Sequence, residues 1–221
     1  MKTFIGVDLG STTTKAVLMD ENMDVLGRGI TNSRSNYTTA CNVAKLEAQI
    51  STRLTLCRRN LTQRVPELGG KLDEFLTRLE LGFRLEQFLE QLEDLKATCI
   101  GNVSGDRFAG MEKQIIEVLE AVFKGVAAEA PKLYEPDAPR KSDFFRDIAG
   151  SMYMAHSQAR GKEAGIAYDM LLNVYDKSII EVENRPPSGS LNDKFKRALD
   201  RVAREGGQTA AELGRRVDRA L

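Results

Sequence analysis

The spacing of apolar residues changes once along this 221-residue chain, shortly after residue 31. Before that point, short apolar and β-branched runs alternate with polar turns, and they predict strands over Thr3–Val7, Thr13–Met19 and Val25–Thr31. Turns this short predict an antiparallel meander, in which we expect the first strand to be buried. A meander of three strands has one apolar face that needs a cover.

After the third strand, apolar residues recur every three or four positions, which predicts helices for most of the remaining chain. The prolines of residues 130–139 predict an extended segment between helices, Ser142 is a candidate N-cap, and Gly206 is a candidate C-terminal cap. Thr209 and Glu212 form a capping-box pattern before a final helix. The predicted helices cover Thr38–Arg64, Lys71–Ile100, Ala109–Ala128, a segment from Ser142, Tyr168–Val182, Leu191–Val202 and a segment from Thr209.

Charge and targeting patterns narrow the class of protein. Lys+Arg and Asp+Glu both number 32, so the balance gives no indication of a nucleic-acid or anionic membrane partner. No apolar run approaches the ~18 residues of a membrane span, and the N-terminus leads into a strand rather than a signal peptide. We therefore predict a cytoplasmic protein.

Cysteine and histidine are sparse. The three cysteines, Cys41, Cys57 and Cys99, are widely spaced and odd in number, which argues against a disulfide framework or structural zinc. We interpret them as small hydrophobic residues on predicted helices. The single histidine, His156, has no neighbouring ligand type and is interpreted as an ordinary helix residue.

The most informative string is DLGSTTTK, residues 8–15, between the first two predicted strands. It combines a carboxylate, a glycine that lets the backbone approach a ligand, a row of hydroxyls and a lysine. Oriented backbone N–H groups bind anions, and a carboxylate can hold Mg²⁺ through water, so the string suits a magnesium-bound phosphate chain. The candidate site residues are Asp8, Gly10, Ser11, Thr12, Thr13 and Lys15.

Two qualifications apply to this string. The P-loop pattern G-x-x-x-x-G-K-[ST] is absent, and a strand rather than a helix is predicted after the glycine. An alternative interpretation is a plain hairpin whose threonine-rich strand has high β propensity. In that case Lys15 would be an ordinary solvated strand residue.

The string GVDLGSTTTKAV, residues 6–17, resembles the first phosphate motif of the acetate kinase, sugar kinase, Hsp70 and actin superfamily. More narrowly, it resembles the BadF/BadG-type ATPases, which activate 2-hydroxyacyl-CoA dehydratases or serve as ATPase subunits of benzoyl-CoA reductase. Segments 27–37, 140–147 and 175–187 (GRGITNSRSNY, RKSDFFRD and YDKSIIEVENRPP) resemble the larger ATPase subunit of the reductase.

The resemblance implies a mixed α/β fold, an incomplete ATPase domain of the actin/Hsp70/sugar-kinase type. Residues 1–36 would form its first part, residues 37–187 a large all-helical insertion, and residues 188–221 helices that return to the ATPase domain. The family's GTGYGR turn, DIGGQD-like second phosphate motif, two cluster cysteines and adenosine motif do not occur in the sequence. We therefore expect the chain to correspond to the N-terminal half of a longer subunit.

By the same resemblance, the chain would bind and hydrolyse ATP within a benzoyl-CoA reductase-type complex. ATP hydrolysis would drive low-potential electron transfer for aromatic-ring reduction, in anaerobic degradation of aromatic compounds. Asp8 would hold Mg²⁺ through water, residues 10–13 would cradle the β- and γ-phosphates, and Lys15 would offset their charge. Asp8 and Lys15 are thus the candidate catalytic residues. Alone, the chain would bind ATP weakly and hydrolyse it slowly or not at all.

The implied partners are a second related ATPase subunit, reductase subunits that bind an aromatic acyl-CoA, and an electron donor such as ferredoxin. A [4Fe-4S] cluster would be shared between the two ATPase subunits, but this chain lacks the cysteine motif for it. Alternatives are a 2-hydroxyacyl-CoA dehydratase activator, a sugar or acyl kinase, or a non-catalytic helical interaction module with a vestigial phosphate loop. The charged residues of the family-like segments are interpreted as solvated helix faces with ion pairs rather than as an interface.

Overall fold

A computed structural model of the chain describes residues 2–33, 36–64, 69–139, 142, 144–185 and 189–220. Three strands at the N-terminus are followed by seven helices within these residues. The strands are β1 (Thr3–Leu9), β2 (Thr13–Asp20) and β3 (Val25–Asn32), and the helices are α1 (Tyr37–Arg64), α2 (Gly69–Gly101), α3 (Glu112–Glu129), α4 (Phe145–Ala164), α5 (Tyr168–Glu183), α6 (Leu191–Glu205) and α7 (Gly207–Ala220).

The strands form the predicted antiparallel sheet in the order β1-β2-β3. β1 pairs with β2 from Thr3 opposite Asp20 to Leu9 opposite Thr14, so the first turn comprises only the residues between Leu9 and Thr13. β1 extends two residues beyond the prediction, and Asp8 therefore lies inside the strand rather than after it. The mixed α/β class and the meander are thus confirmed.

Helix α1 covers one face of the sheet. Ala44 and Ala48, both completely buried, pack with Ala16 and Leu18 of β2 and Leu26 of β3. The two alanines are four residues apart and therefore lie on one face of the helix. Small side chains on this face allow the helix axis to approach the strands closely.

Two glycines of β3 make this approach possible. A Cβ atom on Gly29 would lie 2.1 Å from the carbonyl oxygen of Ala44 and 2.6 Å from the amide nitrogen of Ala48. A Cβ on Gly27 would lie 2.4 Å from the Ala48 carbonyl oxygen. Real Cβ atoms do not approach backbone atoms this closely, so the packing of β3 on α1 requires glycine at both positions.

Most of strand β1 is exposed, contrary to the prediction of a buried first strand. Phe4 is 54% exposed, Ile5 42% and Leu9 52%, while Val7 is half-buried against the core between the sheet and α1. The physical reason is that β1 is the edge strand of the sheet on the side away from β3, whereas α1 packs mainly on β2 and β3. The apolar sequence of β1 predicted burial, but α1 covers this strand only at Val7 within the described residues.

Several helix ends differ from the predictions. Residues 130–134 form a short 3₁₀ helix rather than an extended segment, and Pro131 lies in its first turn, where its fixed φ is favourable. Helix α4 has Phe144 rather than Ser142 as its N-cap. The Ser142 hydroxyl instead accepts a hydrogen bond from the Phe144 N–H at 3.2 Å and donates one to Asp147 at 2.6 Å.

At the C-terminal end, Gly206 is the C-cap of α6, as predicted. The next helix begins directly at Gly207, whose φ of +68° is readily adopted by glycine. Thr209 therefore lies within α7 rather than before it, so the prediction that the capping-box pattern precedes the final helix is wrong. Residues 65–68, between the first two helices, and Asp143 lie outside the described residues.

The chain divides into two compact units, residues 1–86 with 186–221, and residues 87–185. The first contains the sheet and a core between α1, the start of α2, α6 and α7. Within the described residues, no helix is both long and apolar enough to cross a membrane. By the family resemblance, the chain divides after residues 36 and 187 into an ATPase part and a helical insertion. That assignment of the insertion stays a prediction.

The core of the second unit is helical and aromatic. Tyr153 of α4 stacks on Tyr175 of α5 with ring centroids 4.5 Å apart, and it donates a hydrogen bond to the Leu171 carbonyl at 2.8 Å. Burial raises the pKa of both tyrosine hydroxyls above the usual value. These groups are therefore neutral at physiological pH and serve packing.

Candidate functional site

The sheet register brings the two charged residues of the DLGSTTTK segment together. Asp8 of β1 lies directly opposite Lys15 of β2, and both are exposed. Their neighbours Thr14 and Ala16 are completely buried on the other face, toward α1. Because side chains alternate along a strand, Asp8 and Lys15 share the open face of the sheet. Directly opposite residues have Cβ atoms about 5 Å apart.

A tight turn joins these two strands at Gly10. The Gly10 N–H donates a hydrogen bond to the Thr13 carbonyl at 3.1 Å. A Cβ on Gly10 would lie 2.7 Å from that same carbonyl oxygen, which is closer than real contacts allow. Ser11 and Thr12 form the exposed tip of the turn. The turn therefore needs glycine for a local steric reason, whatever binds beside it.

Ser33, directly after β3, forms hydrogen bonds with this turn from the side of β3. Its N–H donates to the Thr12 carbonyl at 2.8 Å, and its hydroxyl donates to the Gly10 carbonyl. The Ser33 hydroxyl oxygen also lies 3.0 Å from the hydroxyl of Thr14. Three groups of the turn, two carbonyls and one hydroxyl, thus contact a single residue 19 to 23 positions further along the chain.

These contacts fix the direction of the turn's amide groups. In a trans peptide, the carbonyl and the following N–H point in opposite directions. All described peptide bonds are trans. Because the carbonyls of Gly10 and Thr12 point toward Ser33, the N–H groups of Ser11 and Thr13 point away from it. The Thr13 N–H lies on the same side of β2 as the Thr13 carbonyl, which faces Gly10. The Ser11 N–H belongs to the exposed tip of the turn and is therefore the backbone amide that is oriented to contact an anion.

The open face carries a further cation. Arg28 of β3 is exposed and lies opposite Val17, while Lys15 lies opposite Ile30. Arg28 is therefore a diagonal neighbour of Lys15 on the same face. Two-residue alternation along β3 could have identified Arg28 from sequence. No sequence pattern indicated Ser33, since its contacts depend on how β3 returns to the first turn.

The groups of this segment suit the magnesium-bound phosphate chain that the resemblance implies. One carboxylate, two exposed hydroxyls, an outward amide and a lysine match a phosphate chain whose Mg²⁺ is held largely by phosphate and water oxygens. Asp8 cannot form a protein cage for a metal, and among the described residues no group of three or more His, Cys, Asp and Glu side chains could hold one. The segment therefore suits magnesium bound with a nucleotide rather than magnesium alone.

The cysteines do not suit an iron–sulfur cluster. Cys99 is completely buried, and burial raises the pKa of its thiol to about 12. Burial also raises the pKa of the Cys57 thiol, an effect that nearby Arg58 reduces. Cluster ligation requires thiolates, which these surroundings disfavour. Cys57 packs beside the apolar core of the first unit, in line with the interpretation of the cysteines as small hydrophobic residues.

His156 and the charged family-like segments have structural partners. The His156 ring packs against Gly125, and its Nε2 lies 3.4 Å from a carboxylate oxygen of Glu129. Arg185 pairs with Asp94 at 3.0 Å and, like other exposed pairs, contributes little to stability. Arg34, Lys141 and Asp143 lie outside the described residues.

Comparison with known protein families adds one finding to this geometry. The family model described as the BadF/BadG/BcrA/BcrD ATPase family matches residues 5–217, nearly the whole chain. The chain belongs to this ATPase family. The match covers the DLGSTTTK segment and the helices that follow it, so the family resemblance seen in the sequence is confirmed. Searches of curated proteins and of solved structures gave no match.

Proposed function

We propose that this member of the BadF/BadG/BcrA/BcrD ATPase family binds Mg·ATP at residues 8–15 and hydrolyses it as a subunit of a benzoyl-CoA reductase-type complex. The observation that carries the proposal is the hairpin in which Asp8 lies opposite Lys15 beside the Gly10 turn. The family match makes ATP the nucleotide of choice. The resemblance of residues 140–147 and 175–187 to the larger reductase subunit supports the finer assignment.

Each residue of the segment has a chemical task in this proposal. The outward amide of Ser11, with the hydroxyls of Ser11 and Thr12, donates hydrogen bonds to phosphate oxygens. Lys15 offsets their negative charge, and Asp8 would hold the magnesium ion through water. The ion, when bound with the nucleotide, neutralises charge that develops on the phosphate oxygens. Phosphoryl transfer depends mainly on positioning and electrostatics, which these groups provide.

The exposure of these groups predicts weak binding by the chain itself. Asp8, Ser11, Thr12 and Lys15 are all exposed, so the described residues supply one side of a phosphate site. A ligand gains most of its affinity when it is largely enclosed. Residues from a second ATPase domain or subunit would complete the site and exclude water, and electron transfer from a ferredoxin-like donor would be coupled to that closure.

The proposal is tested on the complex that the chain forms in its own cell. The tagged chain is purified with its partners under anoxic conditions, and ATP hydrolysis is measured with and without benzoyl-CoA and a low-potential electron donor. We expect ATP-dependent reduction of the acyl-CoA, and both activities should be lost in Asp8→Ala but kept in Asp24→Asn, a carboxylate in the β2–β3 turn. Transfer of phosphate to a sugar or acyl acceptor would instead indicate a kinase, and full ATPase activity in Asp8→Ala would remove Asp8 from the mechanism.

A further inference from the structure

We propose that Ser33 is a positioning residue that holds the 8–15 segment in its phosphate-binding shape, an inference that rests on the function proposed above. Neither the sequence pattern nor the family match indicates a role for this residue. Its contacts reach Gly10, Thr12 and Thr14, which span the whole turn. Ser33 itself is half-buried and lies outside the set of groups proposed to touch phosphate.

The hydroxyl contacts form a directed chain of hydrogen bonds. A serine hydroxyl has a single proton, and Ser33 donates it to the Gly10 carbonyl. Thr14 must therefore be the donor in the 3.0 Å contact between the two hydroxyls. Because Thr14 is completely buried in the folded chain, its hydroxyl depends on Ser33 as an acceptor. Consecutive hydrogen bonds of this kind polarise and strengthen one another.

The backbone contact of Ser33 has a separate role. Its N–H donates to the Thr12 carbonyl at 2.8 Å, and any substitution except proline keeps this bond. Replacing the side chain alone therefore releases the Gly10–Ser11 peptide while the Thr12–Thr13 peptide stays tethered. The change removes the side-chain restraint that Ser33 places on the turn, keeps its backbone restraint, and should leave the sheet intact.

The consequence for binding follows from peptide geometry. With the Gly10 carbonyl free, the Gly10–Ser11 peptide can rotate, and the Ser11 N–H no longer points steadily away from Ser33. An amide that must be reoriented on binding contributes less affinity than one that is preorganised. The loss should appear with any phosphate chain, because it concerns phosphate contacts and not the adenosine part of the nucleotide.

The test titrates the isotope-labelled chain with Mg·ATP and, separately, with Mg·tripolyphosphate, following the amide NMR signals of residues 10–15. Ser33→Ala should raise the Kd for both ligands about tenfold, the loss expected for one well-made hydrogen-bond chain. Ser33→Thr, which keeps the hydroxyl, should stay within about threefold of the wild type. Thr14→Val keeps the bond from Ser33 to the Gly10 carbonyl and removes only the supporting bond from Thr14, so it should weaken binding less than Ser33→Ala does. The double variant should be no weaker than Ser33→Ala, because the Gly10 carbonyl is already free in that variant.

Thr52→Ala is the matched control. The Thr52 hydroxyl also belongs to the layer between β3 and α1, but it donates to the Ala48 carbonyl at 2.8 Å within its own helix. This variant should lower stability and leave both Kd values unchanged. An equal loss of affinity in Thr52→Ala would show that general loosening of the sheet, not the turn, explains the effect.

The outcomes separate this inference from the function on which it rests. If the wild-type signals of residues 10–15 respond to neither ligand, the proposed phosphate site is wrong, and the role of Ser33 is wrong with it. If the wild type binds and folded Ser33→Ala binds equally well, the phosphate site stands and the positioning role is refuted. Weaker binding of both ligands in Ser33→Ala, a smaller loss in Thr14→Val and recovery in Ser33→Thr support the positioning role.

Discussion

The substitution Gly29→Ala tests how the packing of β3 on α1 supports the candidate site. The added Cβ would lie 2.1 Å from the Ala44 carbonyl oxygen and 2.6 Å from the Ala48 amide nitrogen. Ordinary contacts begin near 3.4 Å, so the strand and helix must separate by roughly 1 Å. Both opposing atoms belong to the backbone of a helix, and no side-chain rotation can relieve the overlap.

The expected loss of stability follows from two opposing effects. Overpacking of this kind costs about 1–3 kcal/mol, and the backbone contacts place Gly29→Ala at the upper end. Alanine also reduces the conformational entropy of the unfolded chain, which stabilises the folded state by less than ~1 kcal/mol. The free energy of unfolding of the sheet should therefore fall by about 2 kcal/mol. Because β3 leads directly to Ser33, the Ser33 contacts with the turn should weaken as well.

The assay is urea unfolding followed through the NMR signals of β2 amides, which report on the sheet rather than on the helices of the second unit. Gly6→Ala is the matched control, since a Cβ there meets no atom within 4 Å. We expect it to be neutral or stabilising by up to ~1 kcal/mol. An unfolding midpoint for Gly29→Ala equal to that of the wild type would refute the close-packing argument.

Three further predictions follow from individual contacts. Lys15→Met should weaken Mg·ATP binding about tenfold in calorimetry, whereas Arg28→Met, at the diagonal neighbour of Lys15, should weaken it less than about threefold. Equal losses in the two variants would indicate a general charge effect. Glu86→Ala should lower the free energy of unfolding by about 1–3 kcal/mol in urea titrations, because the buried Glu86 carboxylate accepts 2.8 Å hydrogen bonds from Arg197 and Arg201 of α6. A change below ~0.5 kcal/mol would contradict this prediction. At pH 8, a thiol reagent should modify Cys99 only after the protein unfolds, since burial raises the pKa of this thiol to about 12 and keeps it protonated. Modification of Cys99 in the folded protein would contradict this prediction.

Local patterns in the sequence were sufficient for most of the secondary structure. Short apolar runs and short turns predicted the meander, and apolar periodicity predicted α1 and α2 to within two residues. The string around Gly10 identified a turn that the structure forms for steric reasons. The family resemblance, read from strings in several parts of the chain, agrees with the family match.

Features that depend on distant parts of the chain were missed. The apolar sequence of β1 predicted burial, but burial is decided by where α1 packs, and it packs mainly on β2 and β3. The contacts of Ser33 could not be predicted, because its side chain reaches residues 19 and 23 positions earlier. Ser142 has the chemistry of an N-cap, yet Phe144 precedes the helix, since capping depends on local backbone geometry as well as residue type.

The central claim is that residues 8–15 bind the phosphates of Mg·ATP, and an NMR titration of the isolated chain tests it most directly. With Mg·ATP, the amide signals of Ser11 to Lys15 should shift with a Kd weaker than micromolar, and adenosine alone should leave them unchanged. Asp8→Ala should remove the magnesium dependence of the shifts. Shifts confined to other parts of the chain, or identical titrations of the wild type and Asp8→Ala, would contradict the claim.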